Sequence, residues 1–228
     1  MKPEENYIRN IEDLLSKCKK SYDIVKAKYP KDDLRPSMLA AAGNTLRSYH
    51  IFMCMTLDTV TETKWWITKF GSDKPDSNDL SALKNMDAMT KHAFLVFFLS
   101  RIEWSMRKFI IKVFPDKSDK ASGSFKGIYD FLFEKLGIEK YTSLYDLCRT
   151  IRNTVHNNGH YINKSKTIEW NGRQFEFKYM EPIDFFDYPT AMELYGDLLD
   201  SIDLFINSSP ISDLEYISDT DQTNKSAR

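Results

Sequence analysis

Residues 92 to 99, His-Ala-Phe-Leu-Val-Phe-Phe-Leu, form the most continuously apolar stretch of the chain and are the best guide to its fold. A helix over this stretch has apolar side chains on every side, which predicts burial at the centre of a helical bundle. The stretch is too short to cross a bilayer, since that requires about 20 apolar residues. We expect this core helix to begin after a polar loop at 71–79 and to end at Pro115, with a break near Asp87 left open.

Further amphipathic helices are predicted on both sides of the core helix, because apolar residues recur there every three or four positions. The expected helices cover residues 5–29, 36–69, 124–136, 142–158 and 189–207. Pro30 ends the first of them, and Gly71 follows the second. Gly159 supplies the left-handed backbone position that ends the fourth.

A change of period from helical to alternating predicts a β-hairpin at about 166–180. Lys166-Thr-Ile-Glu-Trp and Arg173-Gln-Phe-Glu-Phe flank Asn171-Gly172, and this dipeptide between alternating segments is a strong hairpin signal. The predicted fold class is therefore all-α, a helical bundle with one β-hairpin inserted before the last helix. Residues 1–207 are expected to form one domain, and the polar segment 208–228 to be a flexible tail.

The composition limits the classes of function. The chain has 228 residues, of which 42% are hydrophobic and 29% charged, as is usual for globular proteins. Its net charge of −1 provides no global basic field, so any nucleic-acid site must be a local patch. Cys18, Cys54 and Cys148 are odd in number and widely spaced, which fits neither a disulfide framework nor a zinc site. With no apolar signal core at the N-terminus, this pattern indicates a reducing, cytoplasmic location and no membrane partner.

The segment Arg-Thr-Ile-Arg-Asn-Thr-Val-His-Asn-Asn-Gly-His, residues 149 to 160, has the most catalytic potential. In a helix, Arg149, Arg152, Asn153 and His156 share one face, because they are separated by three, four and seven positions. Arginine binds phosphoryl oxygens through its planar fork of donors, and histidine transfers protons near neutral pH. RNA cleavage by its own 2′-hydroxyl needs such a cation together with a base and an acid, and this scheme requires neither metal nor cofactor.

This helix has a single histidine, whereas the reaction needs two proton transfers. A two-fold dimer that brings two such helices together would provide two histidines and at least four arginines, and would also form a basic groove. The sequence therefore predicts a homodimer that acts on RNA.

The same residues resemble the HEPN superfamily (higher eukaryotes and prokaryotes nucleotide-binding domains), whose members have an Arg…His motif late in a helical bundle. Arg152-Asn153 resembles the Arg-Asn pair of the family, and the Asn-Asn-Gly sequence at 157–159 resembles many bacterial members. The segment Arg101-Ile-Glu-Trp-Ser-Met-Arg107 looks like the Glu/Arg helix of the family. The resemblance covers about residues 85–207, with the hairpin inside it, and does not account for the helices of residues 1–80.

The spacing of the motif departs from the family pattern at one arginine. Four to six residues usually separate the family's Arg from its His. Six residues separate Arg149 from His156, which fits, whereas only three separate Arg152 from His156. Either Arg149 is the functional arginine with Arg152 as an accessory, or the motif has diverged and lost catalysis.

The resemblance implies a metal-independent, homodimeric endoribonuclease, such as a toxin or phage-defence effector with an antitoxin or another partner protein. His156 is then the general acid and base, Arg149 and Arg152 bind phosphate, and Asn153 orients them. Two further groups are expected around this set: substrate contacts from Asn157 and His160, and supporting side chains from Glu103 and Arg107.

Other interpretations of the segment stay open. The bundle could bind a nucleotide, RNA or a protein without turnover, or Arg152 and His156 could pair with helix-end carbonyls or with Glu103. A zinc site at His156 and His160 is not expected, because the segment lacks the glutamate of zinc helices and Gly159 interrupts the helix. Cys148 is expected to be a packed thiol.

Overall fold

The fold is a bundle of helices with a β-hairpin inserted before the last helix, which confirms the predicted fold class. The computed structural model describes residues 3–155 and 157–219. The helices are α1 (Pro3–Lys28), α2 (Leu34–Val60), α3 (Thr63–Phe70), α4 (Ser77–Val113), α5 (Phe125–Leu136), α6 (Thr142–Val155) and α7 (Tyr188–Asn207). The strands are β1 (His160–Tyr161), β2 (Lys166–Trp170), β3 (Arg173–Phe177) and β4 (Glu181–Pro182). Within the described ranges, no helix combines the length and the apolar character that crossing a membrane requires.

α4 is the long central helix, and it packs against α2, α5 and α6. The Asp76 side chain accepts hydrogen bonds from the first turn, which sets the start of the helix. The helix passes Asp87 without a break. Leu95, Phe98 and Leu99 are buried as predicted, whereas Phe97 is 64% exposed. The apolar stretch is therefore covered on one side and open on the other, which corrects the expectation that it is buried all round.

The segment predicted as one helix over 36–69 is divided into α2 and α3. The division falls within Thr-Val-Thr-Glu-Thr, residues 59–63, where β-branched side chains disfavour a helix. The hydroxyl of Thr61 also donates back to the Leu57 carbonyl at 2.7 Å, in competition with regular helix hydrogen bonding. The indole of Trp66 then donates to the Val60 carbonyl at 2.9 Å and fixes the angle between the two helices.

The β2–β3 hairpin has the predicted position and turn. Asn171 and Gly172 have φ values of 49° and 69°, the left-handed pair that a type I′ turn requires. The two strands pair in register from Lys166 opposite Phe177 to Trp170 opposite Arg173. Alternate side chains are buried, and the hairpin contacts α6 through β2. A second short ladder, β1 with β4, was not predicted and brackets the base of the hairpin.

Residues 208–219 are packed against the start of α2, which corrects the prediction of a flexible tail for this part; residues 220–228 lie outside the described residues. Ile211 and Ile217 are buried in the core. The guanidinium of Arg35 is fully buried, pairs with Asp33 at 2.6 Å and donates to the Ile211 carbonyl at 3.0 Å and the Leu214 carbonyl at 2.8 Å. This buried charge pair was not predicted, because the polar composition of residues 208–219 is typical of an exposed segment. We call residues 208–219 the C-terminal strap.

Candidate functional site

α6 has one face in the core and the other toward solvent. Its buried face is apolar and lies against neighbouring helices; it includes Leu144, Leu147, Cys148 and Ile151. The opposite face presents Arg149, Arg152 and Asn153, which all line one surface cleft. The structure thus places these three predicted site residues together.

The helix ends in the left-handed turn that the sequence predicts. Asn158 and Gly159 have φ values of 53° and 81°, and the Gly159 N–H donates to the Thr154 carbonyl at 2.9 Å. This hydrogen bond closes the last turn of the helix in the manner of a Schellman motif. His156, the predicted general acid and base, follows Val155 directly in the chain and lies outside the described residues.

The cleft beside α6 has a volume of about 290 Å³. Three helices and the residue that caps α5 contribute to its lining, which consists of Glu103, Arg107, Ser124, Phe125, Lys126, Arg149, Arg152 and Asn153. Four of these eight side chains are basic and one is acidic. Asp146 and Asp130 lie outside this lining and pair with Arg149 and Lys126. Four basic groups therefore meet three carboxylates, which leaves a small positive excess in a chain whose net charge is −1.

Glu103 on α4 joins two of the cleft arginines. Arg152 donates to its Oε2 atom at 2.7 Å, and Arg107 donates to its Oε1 atom. Arg107 also donates to backbone carbonyls at 121 and 123, and the guanidinium of Arg152 lies 5.7 Å from the Phe125 ring centroid. Glu103 and Arg107 form an ion pair, and Glu103 fixes Arg152 by accepting its hydrogen bond. Within the part of the chain that the structure describes, this is the one hydrogen bond that Arg152 donates, so most of its five N–H donors stay open.

Arg149 is positioned by a different carboxylate. Its Nη2 atom donates to Asp146 Oδ1 at 3.0 Å, and its Nε atom donates to the Tyr129 hydroxyl oxygen at 3.2 Å. The Tyr129 hydroxyl in turn donates to Asp146 at 2.7 Å. Lys126 lies 3.5 Å from the other oxygen of the same carboxylate. Sequence reasoning did not identify Asp146, Tyr129 or Lys126; of the three, only Asp146 had a usable signal, its position three residues before Arg149.

Both carboxylates have depressed pKa values. Desolvation raises the pKa of Glu103, but the hydrogen bonds and charges of Arg152 and Arg107 outweigh it and keep that pKa below its ordinary value. Desolvation likewise raises the pKa of Asp146, and hydrogen bonds from Tyr129 and Arg149 together with nearby positive charge outweigh it. Both groups are therefore ionised at neutral pH and fix the arginines at the cleft wall.

Two predicted substrate contacts lie away from the cleft lining. The amide of Asn157 donates to the Asn153 carbonyl at 3.2 Å, so it extends the end of α6. His160 is the first residue of β1, and its Nδ1 atom lies 3.1 Å from the Asn158 carbonyl oxygen. Neither residue lines the cleft.

Cys148 is a fully buried thiol on the core face of α6, as expected, and burial raises its pKa. Residues 3–155 and 157–219 contain no cluster of three or more His, Cys, Asp or Glu side chains placed to hold a metal ion. Comparisons with protein-family models, with curated proteins and with solved structures give no match to the chain.

Proposed function

We propose that the chain is a HEPN-like, metal-independent endoribonuclease that binds a scissile phosphate of RNA in the cleft beside α6. The observation that supports this proposal is the convergence of four basic side chains from three helices on one small cleft. Arg149 and Arg152 are each fixed by a carboxylate, yet both retain unused donors toward the cleft. Such preorganised donors stabilise the charge that develops on phosphate in the transition state.

The proposed reaction is attack of a ribose 2′-hydroxyl oxygen on the adjacent phosphorus. The new O2′–P bond forms as the P–O5′ bond breaks, which leaves a 2′,3′-cyclic phosphate and a free 5′-hydroxyl. A base removes the 2′-hydroxyl proton and an acid protonates the departing O5′ atom. We assign these proton transfers to His156, with a second copy of the chain in a homodimer supplying the other histidine. Arg149 and Arg152 bind the phosphoryl oxygens, and Asn153 orients them.

This activity would suit a cytoplasmic toxin or phage-defence effector, with RNA as substrate and an antitoxin or another defence protein as partner. The net charge of −1 favours a local RNA contact at the cleft over a broad one.

The proposal is tested by RNA digestion in excess EDTA. We expect wild type to cleave single-stranded RNA, and His156→Ala and Arg152→Ala to lower the rate on the order of 10²-fold or more. Arg173→Ala is the matched control, because Arg173 also pairs with a glutamate, Glu193, at 2.8 Å but lies on the hairpin surface. Cleavage by wild type only when a metal is supplied would contradict the proposed chemistry.

A non-catalytic bundle that binds RNA, a nucleotide or a protein is the second candidate. The observation that favours it is that Arg149 and Arg152 are both paired with carboxylates of their own chain. In that case wild type binds RNA with the same dependence on Arg152, and leaves every RNA intact.

A further inference from the structure

The hairpin supplies a lysine that contacts α6. Lys166, the first residue of β2, donates from Nζ to the Thr150 hydroxyl at 2.8 Å. Thr150 is buried and in turn donates to the Asp146 carbonyl at 2.6 Å, so the lysine is anchored on a fixed group next to Arg149. The Lys166 ammonium also lies 5.7 Å from the Phe177 ring centroid, which restrains it from the strand side.

Lys166 has positive neighbours and no paired carboxylate. Among the described residues, no Asp or Glu oxygen is within ion-pair distance of its Nζ atom, and its one hydrogen-bond partner is neutral. Burial lowers the pKa of Lys166, and the charges of Arg149 and Lys126 lower it further, against a partial opposing effect of Asp146. An ammonium whose one polar partner is a neutral hydroxyl has unused donors and no counter-charge in contact, which an anion would supply.

The Asp146 side chain organises the other two cations. It accepts from Arg149 at 3.0 Å and lies 3.5 Å from Lys126, which also pairs with Asp130 at 3.0 Å. Lys126 and Arg149 also line the cleft that Arg152 lines. Arg149 and Arg152 are three residues apart on one helix, which places their Cβ atoms about 5–6 Å apart. The cation group around Asp146 therefore lies next to the group around Glu103, one helical turn along α6.

We propose that Lys166, Arg149 and Lys126 form a second anion subsite, which binds the backbone phosphate next to the scissile one in single-stranded RNA. This inference rests on the proposed function and assigns the hairpin a role in it. The hairpin positions Lys166 through its ladder with β3 and through Thr150, and the subsite sets which length of RNA binds well. Lys166 is a binding residue, since it does not line the cleft that Arg152 lines.

The test measures binding apart from cleavage. The probe is a 2′-O-methyl RNA hexanucleotide, which 2′-hydroxyl attack cannot cleave. We expect Lys166→Gln to weaken its binding about tenfold and to reduce the slope of log K against log salt by roughly 0.7, the value for one single-strand phosphate contact. Lys166→Arg keeps the charge and is expected to restore most of the affinity. Lys178→Gln is the matched control, because Lys178 follows β3 and is 58% exposed.

Each outcome decides between the two proposals. If Lys166→Gln lowers the affinity for the hexanucleotide and wild type cleaves no RNA, the subsite is supported and the ribonuclease proposal is wrong. If wild type cleaves RNA and Lys166→Gln binds the hexanucleotide like wild type, the subsite is wrong. Equal losses in Lys166→Gln and Lys178→Gln would overturn it too, since they would indicate only a general charge effect. If wild type binds no hexanucleotide at all, both proposals are overturned.

Discussion

Arg152 donates a hydrogen bond of 2.7 Å to Glu103, which lies 49 residues earlier in the chain. This bond joins α6 to the central helix α4 at the wall of the cleft. It shows that an arginine of the motif is held in place by its own chain before any ligand binds. The same contact is therefore both a structural link and a means of positioning a phosphate-binding group.

Glu103→Gln is expected to lower the free energy of unfolding at neutral pH and to leave it unchanged in the acid range. Because the pKa of Glu103 is depressed in the folded protein, its ionised form contributes stability that is complete above the ordinary value of 4.5 and is lost as the pH falls through the lower folded value. Urea unfolding of both proteins from pH 7 down to pH 3 measures this. A difference in unfolding free energy that stays constant over the whole range would contradict the predicted ionisation.

Arg35→Met is expected to lower the free energy of unfolding by about 3–5 kcal/mol, because it leaves Asp33 as an unpaired buried charge. It also removes the hydrogen bonds to the carbonyls of the C-terminal strap. Both side chains of this pair are fully buried. Lys19→Met removes an exposed pair with Asp23 and serves as the control, with little change expected. Urea unfolding measures the loss, and limited proteolysis within residues 208–219 measures release of the strap. A loss no larger than that of the control would show that the buried pair does not fix the strap.

Gly196→Ala is expected to stabilise the protein by about 0.5–1 kcal/mol, since it replaces glycine inside α7 by a better helix former. The added methyl group would lie 3.6 Å from a Leu14 methyl carbon, an ordinary contact distance. Gly43→Ala provides the comparison, because its methyl group would meet the Cys18 sulfur at 3.3 Å. We expect a smaller gain or a loss there. Thermal unfolding of the two variants checks the order, and a destabilised Gly196→Ala would contradict the room for a methyl group between Gly196 and Leu14.

The three cysteines are expected to differ in reactivity. Cys18 and Cys148 are buried, and burial raises the pKa of Cys18 to about 11. Cys54 is only partly buried. A thiol reagent such as dithiobisnitrobenzoate should therefore modify one thiol rapidly in the native protein and all three in denaturant. Rapid native modification of Cys148 would show that α6 opens readily.

Much of the fold follows from local signals in the sequence. Apolar spacing predicted the helices, and Asn171-Gly172 predicted the hairpin turn to the residue, because few dipeptides adopt two left-handed positions. The division at 59–63 was missed because apolar spacing continues through it, although its β-branched residues disfavour a helix. The exposure of Phe97 was missed because a sequence shows which residues are apolar and does not show how many neighbours cover them.

The sequence predicted site residues on α6 and, with Glu103 and Arg107, on α4. Spacing within one helix places Arg149, Arg152 and Asn153 on one face, and the structure agrees. Lys126 comes from α5 and Lys166 from the hairpin, and both were missed because only tertiary packing brings them close to α6. The strap was missed for a related reason, because the charge of Arg35 is buried only once distant carbonyls surround it.

The chemistry of the RNA ends shows directly whether the chain cleaves RNA by 2′-hydroxyl attack. A defined RNA oligonucleotide is incubated with wild type in excess EDTA, and mass spectrometry identifies the product ends. We expect 2′,3′-cyclic phosphate and 5′-hydroxyl ends from wild type. These products should disappear with His156→Ala and form on the order of 10²-fold more slowly with Arg152→Ala. Intact RNA, or products with 3′-hydroxyl and 5′-phosphate ends, would contradict this reaction.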